Sequence, residues 1–159
     1  MITSDKQIEE TTSHIAGGLW EPYASGETSI ERMIYWSQLS YQYYNHLYHS
    51  SAASSAGIQQ ISVFYYSKER DEPFWKDIPI IFSQLTTAQL DSLGTPKRFP
   101  FGFTYLSYVA EPKYFLNWMK SSLSQSENIV WETKKISSLE EQWNLMSATG
   151  PTSSSGSLS

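Results

Sequence analysis

Thr11-Thr12-Ser13-His14-Ile15-Ala16-Gly17-Gly18-Leu19-Trp20-Glu21-Pro22-Tyr23 is the stretch on which the reading of this chain turns. Three consecutive hydroxyl residues lead, after a short apolar step, into paired glycines and then Leu-Trp-Glu-Pro-Tyr. Hydroxyls and free amides beside a segment stripped of side-chain bulk suit a loop that contacts a phosphate or a flat ring, because a ligand must come close to the backbone there. A buried turn uses Gly-Gly for the same steric reason, so the residues by themselves leave both readings open.

Upstream, Ile2-Thr3-Ser4 is short and β-tolerant and ends in Asp5. A dinucleotide fold closes its second strand with an acidic residue that bonds the adenosine ribose, and Asp5 fits that place; a solvated terminal carboxylate is the alternative. The glycine turn of such a fold lies about 20 residues ahead of the acid. Only four residues precede Asp5, so the expectation is a chain that lacks the first strand and glycine-rich turn.

Downstream, Thr28 to His49 reads as a helix opened by a capping box, with Thr28 as cap and Glu31 reaching back. Met33, Trp36, Tyr43 and Leu47 approximate its apolar stripe, which Ile30, Ile34, Tyr41 and Tyr48 widen enough to imply burial on more than one side. Ser50 to Gly57 is a small, polar connection. Ile58 to Ser67 favours a strand through Ile61, Val63, Phe64, Tyr65 and Tyr66, and Lys68 to Glu72 marks a turn. Ile78 to Phe82 is a second strand, with Pro79 placing it at an edge or a strand start. Thr86-Thr87 caps a short helix through Leu93, and Phe101 to Val109 is a third strand. Pro112 opens a helix containing Phe115, Leu116, Trp118, Met119 and Leu123. Ile129 to Ile136 is a fourth strand, and Ser137 or Ser138 with Glu140 or Glu141 caps a last helix ending near Met146. Ser147 to Ser159 has almost nothing to bury and is expected to be disordered.

Composition bounds the chemistry. The 159 residues, 40% hydrophobic and 17% charged, are globular in type. The absence of cysteine removes disulfides, thiolate metal sites and cysteine nucleophiles, leaving His14, His46 and His49; the last two, three residues apart, read as a partly exposed pair rather than a metal site. A net charge of −5 with three arginines, Arg32, Arg70 and Arg98, offers no basic face and argues against nucleic acid or an anionic membrane as partner. No run approaches the ~18 apolar residues of a membrane span. The N-terminal MITSDKQIEE lacks the regions of a signal peptide. Aromatic residues make up 15% of the chain, and core packing accounts for them more simply than a ligand site does. No metalloprotease helix, nucleophile elbow or Walker loop is present, and no catalytic residue is assigned.

The chain does, however, resemble the FAD-dependent D-amino-acid oxidases, the family that includes D-aspartate oxidases. The resemblance rests on Ser4-Asp5-Lys6 and the Thr11 to Tyr23 run, then in order on Trp36-Ser37-Gln38, Pro73-Phe74-Trp75-Lys76-Asp77, Leu85-Thr86 with Leu90, Phe101-Gly102 with Thr104, and Phe115-Leu116-Asn117-Trp118. It implies an α/β fold made of part of a Rossmann-like FAD-binding domain joined to part of a mixed-sheet substrate domain. Residues 1–25 would come from the first, 26–146 from a partial oxidase domain that includes the start of the second, and 147–159 would be a tail. It implies that Asp5 and Lys6 meet the adenosine ribose end of FAD, and that Thr11, Thr12 and Ser13 are cofactor-contacting hydroxyls. Gly17, Gly18 and Leu19 would lie against the flavin ring, and Glu21 would border the substrate pocket.

The activity so implied is oxidative deamination of a D-amino acid by oxygen to a 2-oxo acid, ammonia and hydrogen peroxide, in a peroxisomal or cytoplasmic protein. No arginine here matches the family's carboxylate clamp, and the family's second half is missing, so the chain is expected to be a catalytically incomplete fragment. A non-enzymatic interaction module or pseudoenzyme fragment is the alternative, and homo-oligomer formation is left open. The terminal Gly-Ser-Leu-Ser is not a Ser-Lys-Leu peroxisomal address.

Overall fold

The computed structural model describes residues 2–4, 6–23, 26–126, 129, 131–135, 137–138, 140–141 and 143–144. In chain order its elements are β1 (Ile2–Ser4), two 3-10 turns (Ile8–Glu10 and Thr12–Ile15), α1 (Ile30–Tyr48), β2 (Ile58–Ser67), β3 (Phe82–Gln84), α2 (Thr87–Ser92), β4 (Phe101–Ala110), α3 (Pro112–Ser124) and β5 (Trp131–Thr133). Asp5 and the segment 145–159, which contains the expected tail, lie outside the described residues.

β4 organises the molecule. Its β-branched and aromatic residues pair antiparallel with β2 along the full length of both strands, from Ile58 opposite Ala110 to Ser67 opposite Phe101. β3 pairs antiparallel with the other edge of β4, Phe82 opposite Tyr105 and Gln84 opposite Phe103, giving the order β2-β4-β3. β1 and β5 form a separate parallel pair, Ile2 opposite Trp131. Chain reversal before β2 depends on Gly57, whose φ of +63° suits glycine and whose missing Cβ would come within 2.8 Å of the Tyr114 Cβ.

Helix and strand together make this an α/β chain, as the sequence leads one to expect, but several elements differ in detail. The cap of α1 is Ser29, whose hydroxyl accepts the Arg32 amide at 3.4 Å, and not Thr28 with Glu31. α1 buries only part of the expected apolar surface: Leu47 and Tyr41 are buried as expected, together with Ser37, while Trp36 and Tyr43 from the expected stripe are about half exposed. The second strand is Phe82–Gln84 and not Ile78 to Phe82, because the Ile78 amide closes a turn onto the Trp75 carbonyl at 3.0 Å. β5 is Trp131–Thr133, inside the expected Ile129 to Ile136, of which residues 130 and 136 lie outside the described residues. α2 follows its expected cap, with Thr86 Oγ1 accepting the Gln89 amide at 3.3 Å and the Gln89 carboxamide accepting the Thr86 amide at 2.8 Å.

The core is largely aromatic. Trp20, Tyr41, Trp75, Phe103, Tyr105 and Tyr108 are buried together with Leu47, Ala56, Ile58 and Ala110. Trp20 meets Tyr41 at 4.9 Å and Trp75 at 5.4 Å, both edge-on, and Trp75 meets Tyr105 at 4.8 Å. Much of the aromatic excess in the sequence is thus spent on packing. No helix among the described residues is long and apolar enough to cross a membrane.

Candidate functional site

The Thr11 to Tyr23 stretch crosses from the 3-10 turns to the sheet, and its three parts behave differently. The turns at Ile8–Glu10 and Thr12–Ile15 both pack against α3. The Thr11 hydroxyl is committed locally, donating to the Ile8 carbonyl at 2.6 Å. The Thr12 and Ser13 side chains are exposed, and their hydroxyls have no hydrogen-bond partner among the described residues. His14 is half-buried, and its Nδ1 has no hydrogen-bond partner among the described residues.

Gly17 and Gly18 then part company. A Cβ on Gly17 would meet nothing within 4 Å, whereas one on Gly18 would stand 1.8 Å from the Ala110 carbonyl oxygen. The close approach that the glycine pair permits is therefore, at Gly18, an approach to β4. The Ala110 amide donates to the Gly18 carbonyl at 2.9 Å, Leu19 bridges Val109, and the Trp20 amide donates to the Tyr108 carbonyl at 2.9 Å. Residues 18–20 run along the same edge of β4 as β3, which occupies it from Phe103 to Tyr105; between them the Leu106 amide donates to the Ile81 carbonyl at 3.0 Å.

Trp20 is held at two further points, its indole Nε1 donating to Ser40 Oγ at 2.9 Å and its carbonyl accepting the buried Ser107 hydroxyl at 2.7 Å. Pro22 is fixed by the Trp75 indole, which donates to its carbonyl at 2.9 Å. The Ser107 tie spans 87 residues of sequence. A serine set between Leu106 and Tyr108 in a largely apolar strand is the sequence signal that could have pointed to it.

Glu21 is half-buried and lines a shallow groove of about 400 Å³ with Leu19, Trp20, Trp36, Ser37 and Tyr44. Tyr105, on β4 opposite Phe82 and packed on Trp75, is 1% exposed, and its hydroxyl has no hydrogen-bond partner among the described residues. Burial, and secondarily the charges of Glu21 and Tyr23, push its pKa above the usual tyrosine range.

Of the residues singled out in the sequence, the structure gathers Gly18, Leu19 and Glu21 along one strap and leaves Thr12, Ser13 and Gly17 facing open space just upstream. Lys6 is exposed ahead of the first turn. Arg32 stacks over Trp36 at 5.8 Å and Arg98 over Phe99 at 4.9 Å. Among the described residues no group of three or more histidine, aspartate and glutamate side chains is arranged to hold a metal.

No protein-family model matches the chain. A curated protein does: the D-aspartate oxidase of Homo sapiens is 29% identical over an alignment of 154 residues that takes in 91% of this chain. The chain spans 41% of the length of that relative. The likeness supports a distant relationship between this chain and the D-amino-acid oxidase family of oxidoreductases.

Proposed function

We propose that the chain carries part of an FAD-dependent D-amino-acid oxidase fold, with residues 1–25 from a Rossmann-like flavin-binding domain and residues 26–146 from the oxidase domain, including the start of its substrate-binding part. The likeness to a D-aspartate oxidase over 91% of the chain carries this reading. The residues present fit one edge of such a cofactor: the Thr12 and Ser13 hydroxyls are uncommitted, Gly17 is open, and Leu19 is partly exposed beside it. Asp5 and Lys6 are assigned to the adenosine ribose, Thr11, Thr12 and Ser13 to polar contacts, and Gly17, Gly18 and Leu19 to the flavin ring. Gly18 would act through its backbone, which β4 holds in place.

When bound, FAD supplies the redox chemistry of this family, in which a D-amino acid is oxidised by oxygen and hydrolysed to a 2-oxo acid and ammonia, with hydrogen peroxide as co-product. The part of this chain is to bind and orient. Glu21 is assigned to the border of the substrate pocket, and none of Arg32, Arg70 or Arg98 is assigned to the substrate carboxylate. The chain alone therefore lacks a complete catalytic site.

Titrating the purified 159-residue chain with FAD, followed by flavin fluorescence, tests the reading alongside a peroxide assay with D-alanine and D-aspartate. The expected result is weak, saturable FAD binding that Thr12→Val with Ser13→Ala weakens further, and no peroxide. Unchanged affinity in the double variant sinks the flavin assignment. Stoichiometric flavin with peroxide release sinks the claim of incompleteness.

A second reading, a non-enzymatic interaction module, is favoured by one observation: Tyr35, Trp36, Leu39 and Tyr43 on α1 are each 46% exposed or more. Sedimentation velocity separates the two, since a clean monomer over a wide concentration range speaks against a module built on that face.

A further inference from the structure

Two of the short segments picked out in the sequence, Trp36-Ser37-Gln38 and Pro73-Phe74-Trp75-Lys76-Asp77, touch the site above through Trp36, Ser37 and Trp75, but Gln38, Phe74 and Asp77 line a different space. In the structure they face each other. Between them is a cavity of about 310 Å³, with Ile34, Gln38 and Gln42 along one side of α1 and Phe74, Asp77 and Ile78 opposite. Ile34, Gln38 and Gln42 are successive i, i+4 positions, so the helix itself aligns them.

The walls are pinned from behind. The Lys76 amide donates to the Pro73 carbonyl and the Ile78 amide to the Trp75 carbonyl, both at 3.0 Å. Trp75 is buried and anchored to Pro22. Tyr41, at the back of the cavity, ties the two walls to the sheet: its hydroxyl donates to the Leu106 carbonyl and accepts the Ile80 amide, each at 3.2 Å. A cavity whose backbone hydrogen bonds are already made is pre-formed for a ligand.

Its chemistry is specific. The carboxamides of Gln38 and Gln42 have no hydrogen-bond partner among the described residues. Asp77 is the one charged residue in the lining; the neighbouring cation, Lys76, is hydrogen-bonded to Glu72 at 2.6 Å and feels the Asp77 charge only as a weaker, secondary attraction. One carboxylate, two free carboxamide oxygens, two aromatic rings and two aliphatic side chains complement a small cation with a hydrocarbon body.

We propose that this cavity binds a small organic ammonium ion, whose N–H groups bond to the Asp77 carboxylate and the Gln38 and Gln42 carboxamide oxygens while its hydrocarbon body lies on Phe74, Ile34 and Ile78. A simple amine and a free amino acid both present this ammonium group, and the site is independent of the flavin reading.

The test titrates the full 159-residue chain with phenethylammonium chloride, with D-phenylalanine and with phenylacetate, following tryptophan fluorescence and the amide NMR shifts of residues 38, 42 and 74–78. Saturable binding of phenethylammonium or phenylalanine is expected, and whichever binds more tightly identifies the source of the ammonium group. Asp77→Asn weakens it about tenfold or more, the loss of one charge-assisted contact, and Gln38→Leu weakens it less, with thermal unfolding of both variants unchanged. No saturable shift with either ammonium compound, equal binding by Asp77→Asn, or equal binding of phenylacetate overturns the proposal.

Discussion

A methyl group on Gly18 would have to occupy the same space as the Ala110 carbonyl, 1.8 Å away, so Gly18→Ala must lift residues 18–20 off β4 and forfeit the backbone bonds at Ala110 and Trp20. Urea denaturation is expected to show a loss of roughly 2–4 kcal/mol for this variant and about 0.5 kcal/mol or less for Gly17→Ala, which meets open space. Two adjacent and chemically identical residues thus divide the work: one is fixed by packing, and the other is free for a ligand. Tyr105 invites the opposite change. Its hydroxyl is buried without a partner among the described residues, so Tyr105→Phe removes an uncompensated desolvation cost and is expected to stabilise the protein by about 1 kcal/mol in the same assay. Tyr41→Phe, by contrast, deletes a hydroxyl that both donates and accepts, and costs about 1–2 kcal/mol.

Among the elements, β2 and β4 were readable nearly to the residue, because ten consecutive positions rich in β-branched and aromatic side chains admit few other conformations. β3 was not, and the reason is local. Ile78, Ile80 and Ile81 look like a strand by composition, but they follow a turn closed on Trp75 and held by Tyr41, a residue 39 positions away from Ile80. The face of α1 is legible at Tyr41 and Leu47 but not at Ser37, a small polar residue buried by its tertiary surroundings, while the more hydrophobic Trp36 is left in a groove wall. Capping was legible at α2, where Thr86 and Gln89 close the box, but at α1 the cap falls one residue later than expected, on Ser29. Near the C-terminal end the expected serine caps are shared, with Glu141 accepting from both the amide and the hydroxyl of Ser137 at 2.9 and 2.6 Å while Ser138 Oγ accepts the Glu141 amide at 3.1 Å. The Ser137 hydroxyl, then the Ser137 amide and Lys134, lower the Glu141 pKa to about 2. A lowered carboxylate pKa contributes stability that is fully present above the ordinary glutamate value and is lost as the pH falls through about 2. Carboxyl NMR should therefore place the Glu141 midpoint near 2, and Ser137→Ala should move it back towards the ordinary range.

On the scale of the whole molecule, the strap at residues 18–20 joins the region of the 3-10 turns and α3 to the three-stranded sheet, and it does so through hydrogen bonds in the most buried part of the core. Hydrogen exchange should accordingly place the Trp20 and Ala110 amides in the same slow class as the centre of β4, while the amides of Thr12 and Ser13 exchange fast. Rapid exchange at Trp20 would mean that the two regions open independently. Sequence motifs single out this stretch and the resemblance implies a ligand for it, but motifs are silent on contacts such as Ser107 to Trp20 that only folding creates. The seating of the strap also has an optical consequence. Trp20 and Trp75 lie 5.4 Å apart with their planes at 74°, so their indole transition dipoles are coupled and should give an exciton couplet in circular dichroism. Both rings are nearly inaccessible to water, at 5% and 3% exposure, which keeps that geometry fixed. The protein therefore carries an unlabelled spectroscopic gauge of whether residues 18–23 are docked, readable in the wild-type chain and erased by Trp75→Phe.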